Sequence, residues 1–219
     1  EFLRQRFFQQ INRVRMENLR SRISPHFTFN VLGREINQFN GSEEVKHNLM
    51  ELVKYLRRSL ELTEKLSVSL QDELDFVRTY IELERGRVGE DFVATVTVED
   101  GLDATRIMIP SMIVQIPVEN AIKHGLAGKD GKKELSVYVS RETNGIRITV
   151  TDNGRGYLPQ VVSATRGTGT GLKVLYQTIQ LLNTKNKSDK IRFDITNRSD
   201  GQTGTEVSVY IPFRFSYDL

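Results

Sequence analysis

The stretch "IRITVTDNGRGY" (146–157) decides how the second half of this chain is read. Its first six residues alternate apolar and polar, the period of a half-buried β-strand. The alternation runs into Asp152, and the glycines Gly154 and Gly156 follow at every second position. A carboxylate at a strand end, beside glycines that let backbone approach a ligand closely, suits recognition of the amino group of a base. Asp-Asn-Gly is also common turn chemistry, so the stretch needs support from its surroundings.

Working outward, the same alternation occurs in "FVATVTV" (92–98), "LSVYVS" (135–140), "IRFDIT" (191–196) and "EVSVYIPF" (206–213), all of which read as strands. Asn144-Gly145 lies between two of them and predicts a tight hairpin. Helical segments interrupt the strands near 111–124 and 170–183. The expectation is an α+β two-layer sandwich, one sheet covered by helices. It occupies residues 89–219, with the boundary near 86–90.

Two further clusters lie in this half. "VENAIKHG" (118–125) places Glu119, Asn120, Lys123 and His124 within two helical turns. An Asn carboxamide oxygen is a suitable neutral ligand for Mg²⁺, and Lys123 and His124 are placed to meet phosphate. An ordinary polar helix face is the alternative reading. "GTGTGLKVL" (167–175) puts Gly167, Gly169 and Gly171 ahead of an amphipathic helix. Backbone N–H groups at such a start form a phosphate cradle, although glycine-rich loops are often only linkers. Neither G-x-x-x-x-G-K-[ST] nor G-x-G-x-x-G is present.

Residues 1–85 carry helical periodicity throughout. Phe8, Ile11, Leu19 and Ile23 form one stripe, and after Pro25 a second begins with Phe29, Leu32, Ile36 and Phe39 in a new phase. "NGSEE" (40–44) reads as a turn with Ser42 as N-cap. Val45, Leu49, Leu52, Leu56 and Leu60 define the next helix, and Leu74, Val77 and Ile81 a third, closed by Gly86 and Gly89. A two-helix hairpin is too thin to bury both apolar faces, so the all-α segment 1–88 is expected to pair as a dimeric four-helix bundle.

Bulk properties limit the classes. The chain has 219 residues, a formal charge of +3 and no cysteine, which excludes a disulfide scaffold and cysteine chemistry. Basic residues are spread along the chain with no basic–aromatic stripe, so no nucleic acid is expected as partner. The longest apolar run, "IMIPSMIVQIPV" (107–118), is broken by Pro, Ser and Gln and falls short of the ~20 residues that span a bilayer. The sequence starts inside an amphipathic pattern without Met, and is expected to be the soluble part of a longer protein.

The three clusters, in this order, resemble the GHKL (Bergerat) ATP-binding fold, with "VENAIKHG" as its N box, "DNGRG" as its G1 box and "GTGTG" as its G2 box. The resemblance implies ATP and Mg²⁺ as cofactors, Asn120 as the metal ligand, Asp152 as acceptor of the adenine amino group, and residues 155–170 as a lid. "GTEVSVYIP" (204–212) looks like the last strand, with Thr205 near the adenine. Hydrolysing members of this superfamily carry a glutamate four residues before the N-box Asn, and here Ile116 stands there. Glu119 is adjacent to Asn120, about 100° around the helix. That pattern favours phosphoryl transfer over hydrolysis.

Phosphoryl transfer needs an acceptor. His124 belongs to the nucleotide cluster, and His47, beside Glu43, Glu44 and Glu51, reads as a solvated residue. His26 lies about 100° from the centre of its apolar stripe, and a neutral imidazole near pH 7 is a competent nucleophile. "ISPHFTFNVL" (23–32) resembles the P-H-F-x-F-N motif of LytS/YehU-type sensor histidine kinases, and "SVSLQDELDFVRTYIELERGRVG" and "PSMIVQIPVENAIKHG" also resemble segments of that family. The resemblance implies ATP-dependent phosphorylation of His26 and transfer to an aspartate of a response regulator receiver domain. It also implies a homodimer, at the cytoplasmic face of the cell membrane through an upstream sensor region. Asn30, one turn beyond His26, corresponds to residues that position water for dephosphorylation in related kinases. Phe27 stands where the commonest histidine kinases have an acidic base, leaving Glu119 and Glu35 as candidates. The competing readings are a catalytically weak nucleotide-binding scaffold and a GHKL hydrolase.

Overall fold

A computed structural model describes residues 43–157, 170–186 and 188–217. Pro25, His26, Asn30, Ser42, Gly167 and Gly169 lie outside the described residues, as does most of the 155–170 segment. The chain divides into two compact units, Glu1–Lys65 and Leu66–Leu219.

In the first unit the described element is helix α1 (Glu43–Glu64), with Leu56 and Leu62 buried and Met50 exposed. Leu49, Leu52, Leu56 and Leu60 recur at the three-to-four spacing that builds an amphipathic helix.

The second unit begins with strand β1 (Ser67–Ser69) and helix α2 (Leu70–Val88). Ser69 caps α2, its hydroxyl accepting the Asp72 N–H at 3.1 Å, and Gly89 ends it with φ +112°. Leu70, Leu74, Val77 and Ile81 are buried within this unit. The compact units divide between Lys65 and Leu66, while the period of the sequence changes near 86–90. A helix and the strands after it differ in period and still share one core.

The remaining elements are β2 (Phe92–Val98), β3 (Met108–Pro110), α3 (Gln115–Asn120), a π-helical turn (Ala121–Gly125), β4 (Lys133–Glu142), β5 (Gly145–Asp152), α4 (Thr170–Lys185), β6 (Arg192–Asn197) and β7 (Thr205–Pro212). Five strands form one sheet in the order β2-β4-β5-β7-β6, while β1 and β3 form a separate antiparallel pair. Within the sheet β2 pairs with β4 in parallel and every other pairing is antiparallel. A parallel pair requires a crossover between its strands, and here β3, α3 and the π turn fill it.

Alternation gives the sheet two faces. Val137, Val139, Ile146, Ile148, Val150, Val207 and Val209 point into the core. Ile113, Val118 and Ile122 from the α3 region, and Leu175, Ile179 and Leu182 from α4, are buried with them. The opposite face carries Thr95, Thr97, Tyr138 and Thr149.

The predicted hairpin is present, but Gly145 serves it differently. The loop is Thr143–Asn144 and Gly145 is already paired with Glu142. Neither loop residue has a positive φ, so the turn is not one of the mirror-image types that Asn-Gly favours. Gly145 is instead required by its other neighbour: a Cβ there would lie 2.3 Å from the carbonyl oxygen of Ile211 on β7.

Candidate functional site

Asp152, at the end of β5, is 4% exposed. Its Oδ1 accepts the Gly154 N–H at 2.8 Å and the Thr205 N–H at 3.4 Å. Burial pushes its pKa above the ordinary carboxylate value, and the hydrogen bonds from Gly154 and Thr205 oppose that shift without cancelling it. The carboxylate is therefore partly desolvated yet held in place by backbone.

Glycines close in around it. A Cβ on Gly125 would lie 2.8 Å from Asp152 Oδ1, one on Gly154 would lie 2.1 Å from the Gly125 carbonyl oxygen, and one on Gly204 would lie 1.9 Å from the Asp152 carbonyl oxygen. Gly204 also has φ +141°. The close approach at Gly154 is to the chain's own backbone at Gly125, and the parts played by Gly125 and Gly204 become visible only in three dimensions.

The segment after Asp152 is tied down on two sides. The Arg155 N–H donates to the Gly125 carbonyl at 3.3 Å and its Nε to the His124 carbonyl at 2.9 Å. Asn197, on β6, accepts the Tyr157 N–H at 2.6 Å through Oδ1 and donates to the Tyr157 carbonyl at 3.3 Å through Nδ2. Gly156, at φ +86°, has no room for a Cβ, which would come 2.7 Å from the same Oδ1. Asn153 bridges to the neighbouring strand, accepting the Glu134 N–H at 2.8 Å and donating to the Lys132 carbonyl at 3.0 Å.

The helix that carries Asn120 starts on an unusual cap. Glu73 of α2 is fully buried. Its Oε2 accepts the Met112 N–H at 3.0 Å, and its Oε1 accepts those of Val114 and Gln115 at 3.1 and 3.2 Å. Donors orphaned at a helix start are thus satisfied by a carboxylate from another element. Met112 is held at φ +68°, a conformation rare for a residue with a side chain.

Further along, Asn120 ends α3, and its Nδ2 is buried with no hydrogen-bond partner among the described residues. The helix then widens into a π turn closed by the Leu126 N–H on the Ala121 carbonyl at 2.8 Å. Such turns are frequent at functional sites. Glu119 accepts from Gln115 Nε2 at 3.1 Å and from Lys123 Nζ at 2.9 Å. Ile116 is buried, so the position one turn before Asn120 is apolar core. Tyr80, whose pKa is pushed up by burial and then by Glu119 and Glu84, presents its ring to Lys123 Nζ at 5.8 Å. Gly171 is buried in the first turn of α4.

The structure thus brings Asp152, Gly154 and Thr205 into direct contact, fastens Arg155 to the backbone of His124 and Gly125, and pairs Glu119 with Lys123. The mixed five-stranded sheet with buried helices against it agrees with the sandwich of the GHKL ATPases. The chain belongs to that family: residues 105–214 match the family described as histidine kinase-, DNA gyrase B-, and HSP90-like ATPase, and residues 14–92 match the histidine kinase family.

Relatives are sensor kinases. The chain is 28% identical over 205 residues to the sensor histidine kinase YpdA of Escherichia coli (strain K12), covering 93% of this chain and 35% of YpdA. It is 30% identical over 207 residues to the sensor histidine kinase/phosphatase LytS of Staphylococcus aureus (strain MRSA252), covering 90% of this chain and 34% of LytS. The chain therefore spans about a third of the length of these relatives. Among solved structures, the histidine kinase domain of the Erythrobacter litoralis EL346 blue-light activated kinase shares the fold, with a TM-score of 0.50 at 16% identity over 94% of both chains. Of the readings weighed from the sequence, these matches favour the histidine kinase over the scaffold and the hydrolase. No described helix is long and apolar enough to cross a membrane.

Proposed function

We propose that this chain is the kinase portion of a two-component sensor, in which ATP bound by the second unit phosphorylates His26. The observation that carries the reading is Asp152: a desolvated carboxylate with both backbone bonds on Oδ1, packed closely by the glycines Gly125, Gly154 and Gly204. In this reading it accepts the adenine amino group, with Thr205 and Gly154 beside it, and Gly156 shapes the loop that follows. Lys123 and His124 face the phosphates together with Gly167, Gly169 and Gly171, the last of them in the first turn of α4.

Mg²⁺ characteristically takes one or two protein ligands plus substrate phosphates. Asn120 fits that role: it is half-buried, and its buried Nδ2 has no hydrogen-bond partner among the described residues that would fix the carboxamide to the fold. Bound Mg²⁺ would neutralise charge on the phosphates. The reaction joins an imidazole nitrogen of His26 to the γ-phosphorus, releases ADP, and passes the imidazole proton to a base, for which Glu119 and Glu35 are the candidates. The phosphoryl group then moves to an aspartate of a response regulator receiver domain. Asn30 positions water for a separate step, hydrolysis of the regulator's aspartyl phosphate to free aspartate and inorganic phosphate. Residues 1–88 act as a homodimeric phosphotransfer segment, attached to the membrane through an upstream sensor region.

The test is incubation with γ-labelled ATP and Mg²⁺. Wild type should take up label that acid removes and alkali preserves, as a phosphoramidate requires, and His26→Gln should take up none. Label retained by His26→Gln would sink the acceptor assignment. Mg²⁺-dependent labelling that survives Asn120→Ala would remove the metal role.

A further inference from the structure

We propose that Glu119 competes with the nucleotide phosphates for Lys123, and that Gln115 sets how easily Glu119 gives the lysine up. The proposal rests on the nucleotide site described above and adds to it a determinant of phosphate affinity.

Gln115, Glu119 and Lys123 follow one another at intervals of four along α3 and the π turn, which brings them to one face. Gln115 is fully buried and Glu119 is 8% exposed, whereas the Lys123 side chain is 43% exposed. Each oxygen of Glu119 has its own donor: Oε1 takes Gln115 Nε2 at 3.1 Å and Oε2 takes Lys123 Nζ at 2.9 Å. The ammonium also lies 5.8 Å from the centre of the Tyr80 ring, so it sits between a carboxylate and an aromatic face. The backbone N–H of Gln115 is held in turn by the Glu73 carboxylate at 3.2 Å. That bond anchors the residue whose amide reaches Glu119.

A lysine held this way reaches a phosphate only by leaving Glu119 or sharing itself with it. Removing the ammonium from a largely buried carboxylate is costly unless another donor remains. Gln115 is that donor. With it, Lys123 moves to phosphate and Glu119 keeps the Gln115 hydrogen bond; without it, Glu119 leans more on Lys123 and resists its departure more strongly. The effect acts on ligands through their phosphates and leaves adenine recognition at Asp152 untouched. A purely structural staple of α3 would instead weaken every ligand alike.

The experiment measures binding of ATP and of adenosine to the whole chain at fixed Mg²⁺, by competition against a fluorescent ATP analogue. Gln115→Met should weaken ATP about tenfold, the scale of one hydrogen bond to a charged group, and adenosine by less than about twofold. Glu119→Gln should strengthen ATP and leave adenosine unchanged, and this gain should vanish in a Lys123→Met background. Equal weakening of ATP and adenosine by Gln115→Met overturns the proposal. So does a Glu119→Gln gain that persists without Lys123, because that gain is mere relief of repulsion. If Gln115→Met fails to fold, the Glu119→Gln and Lys123→Met pair decides alone. Asp152→Ala separates the two levels. Binding that survives it defeats the nucleotide-site reading itself, whereas binding that depends on Asp152 without the Lys123 effects defeats only this proposal.

Discussion

The carbonyl oxygen of Gly125 lies 2.1 Å from the point that a Cβ on Gly154 would occupy. The two residues belong to the π turn and to the loop after β5, and the Arg155 N–H bonds the same carbonyl at 3.3 Å. Backbone therefore meets backbone beside the buried Asp152, with no side chain between.

Gly154→Ala should for this reason disturb the site more than a methyl group usually does. The clash is with a carbonyl that cannot swing away without releasing Arg155, and overpacking of this kind costs about 1–3 kcal/mol. A lowered melting temperature together with loss of nucleotide affinity is expected. A variant that keeps both would show that the contact is slack.

Asp152→Asn should separate stability from binding. The folded pKa of Asp152 is raised by burial, so its ionised form opposes folding. The wild type is favoured at pH below the ordinary carboxyl value of about 4, and that advantage disappears as pH rises through the raised folded value. The variant has no such dependence. Its stability relative to wild type should grow with pH across that window and then level off, while nucleotide affinity falls. Denaturant titrations from pH 3.5 to 8 test the sign; a difference that shrinks with rising pH would contradict it.

Glu73→Ala should be among the most damaging single changes in the second unit. It strands the N–H groups of Met112, Val114 and Gln115, and each unsatisfied buried donor costs about 1–3 kcal/mol. A loss of at least about 3 kcal/mol is expected by chemical denaturation. Glu73→Gln keeps one acceptor and should fall between the alanine variant and wild type. Equal stability of all three would mean that water replaces the cap.

The β4–β5 hairpin offers a contrast between neighbours. Gly145→Ala forces a methyl group to within 2.3 Å of the Ile211 carbonyl and should cost about 1–3 kcal/mol. Asn144→Ala changes a loop residue without positive φ and should stay within about 0.5 kcal/mol. The opposite order would restore the glycine to the turn.

The strands of the second unit were legible because one face of the sheet is buried and the other is not, which writes a period of two into β2, β4, β5 and β7. The place of Asp152 at the end of β5 was legible for a related reason: the alternation of residues 146–151 runs straight into it. Other features are invisible to local pattern. Glu73 sits in "QDELDF" and resembles an ordinary acid in the first turn of a helix. Its one sequence signal is its place on the buried stripe of Leu70, Leu74 and Val77, where a charge requires a partner. That partner lies across the fold, at Met112, Val114 and Gln115, and no spacing along the chain announces it. The parallel pairing of β2 with β4 is likewise decided by the elements that lie between them. The roles of Gly145 and Gly204 depend on neighbouring backbone far away in sequence.

The π turn at Ala121–Gly125 has a bearing on length as well as shape. A π turn is an α-helix holding one residue more than its spiral allows. Wound as regular α-helix, the same residues would carry the Gly125 carbonyl further around the axis by about 100°. Arg155 would lose its acceptor and Gly154 its neighbour, although no residue that contacts Asp152 directly had been replaced. For this site, the count of residues between Asn120 and Leu126 is as much a specification as their identity.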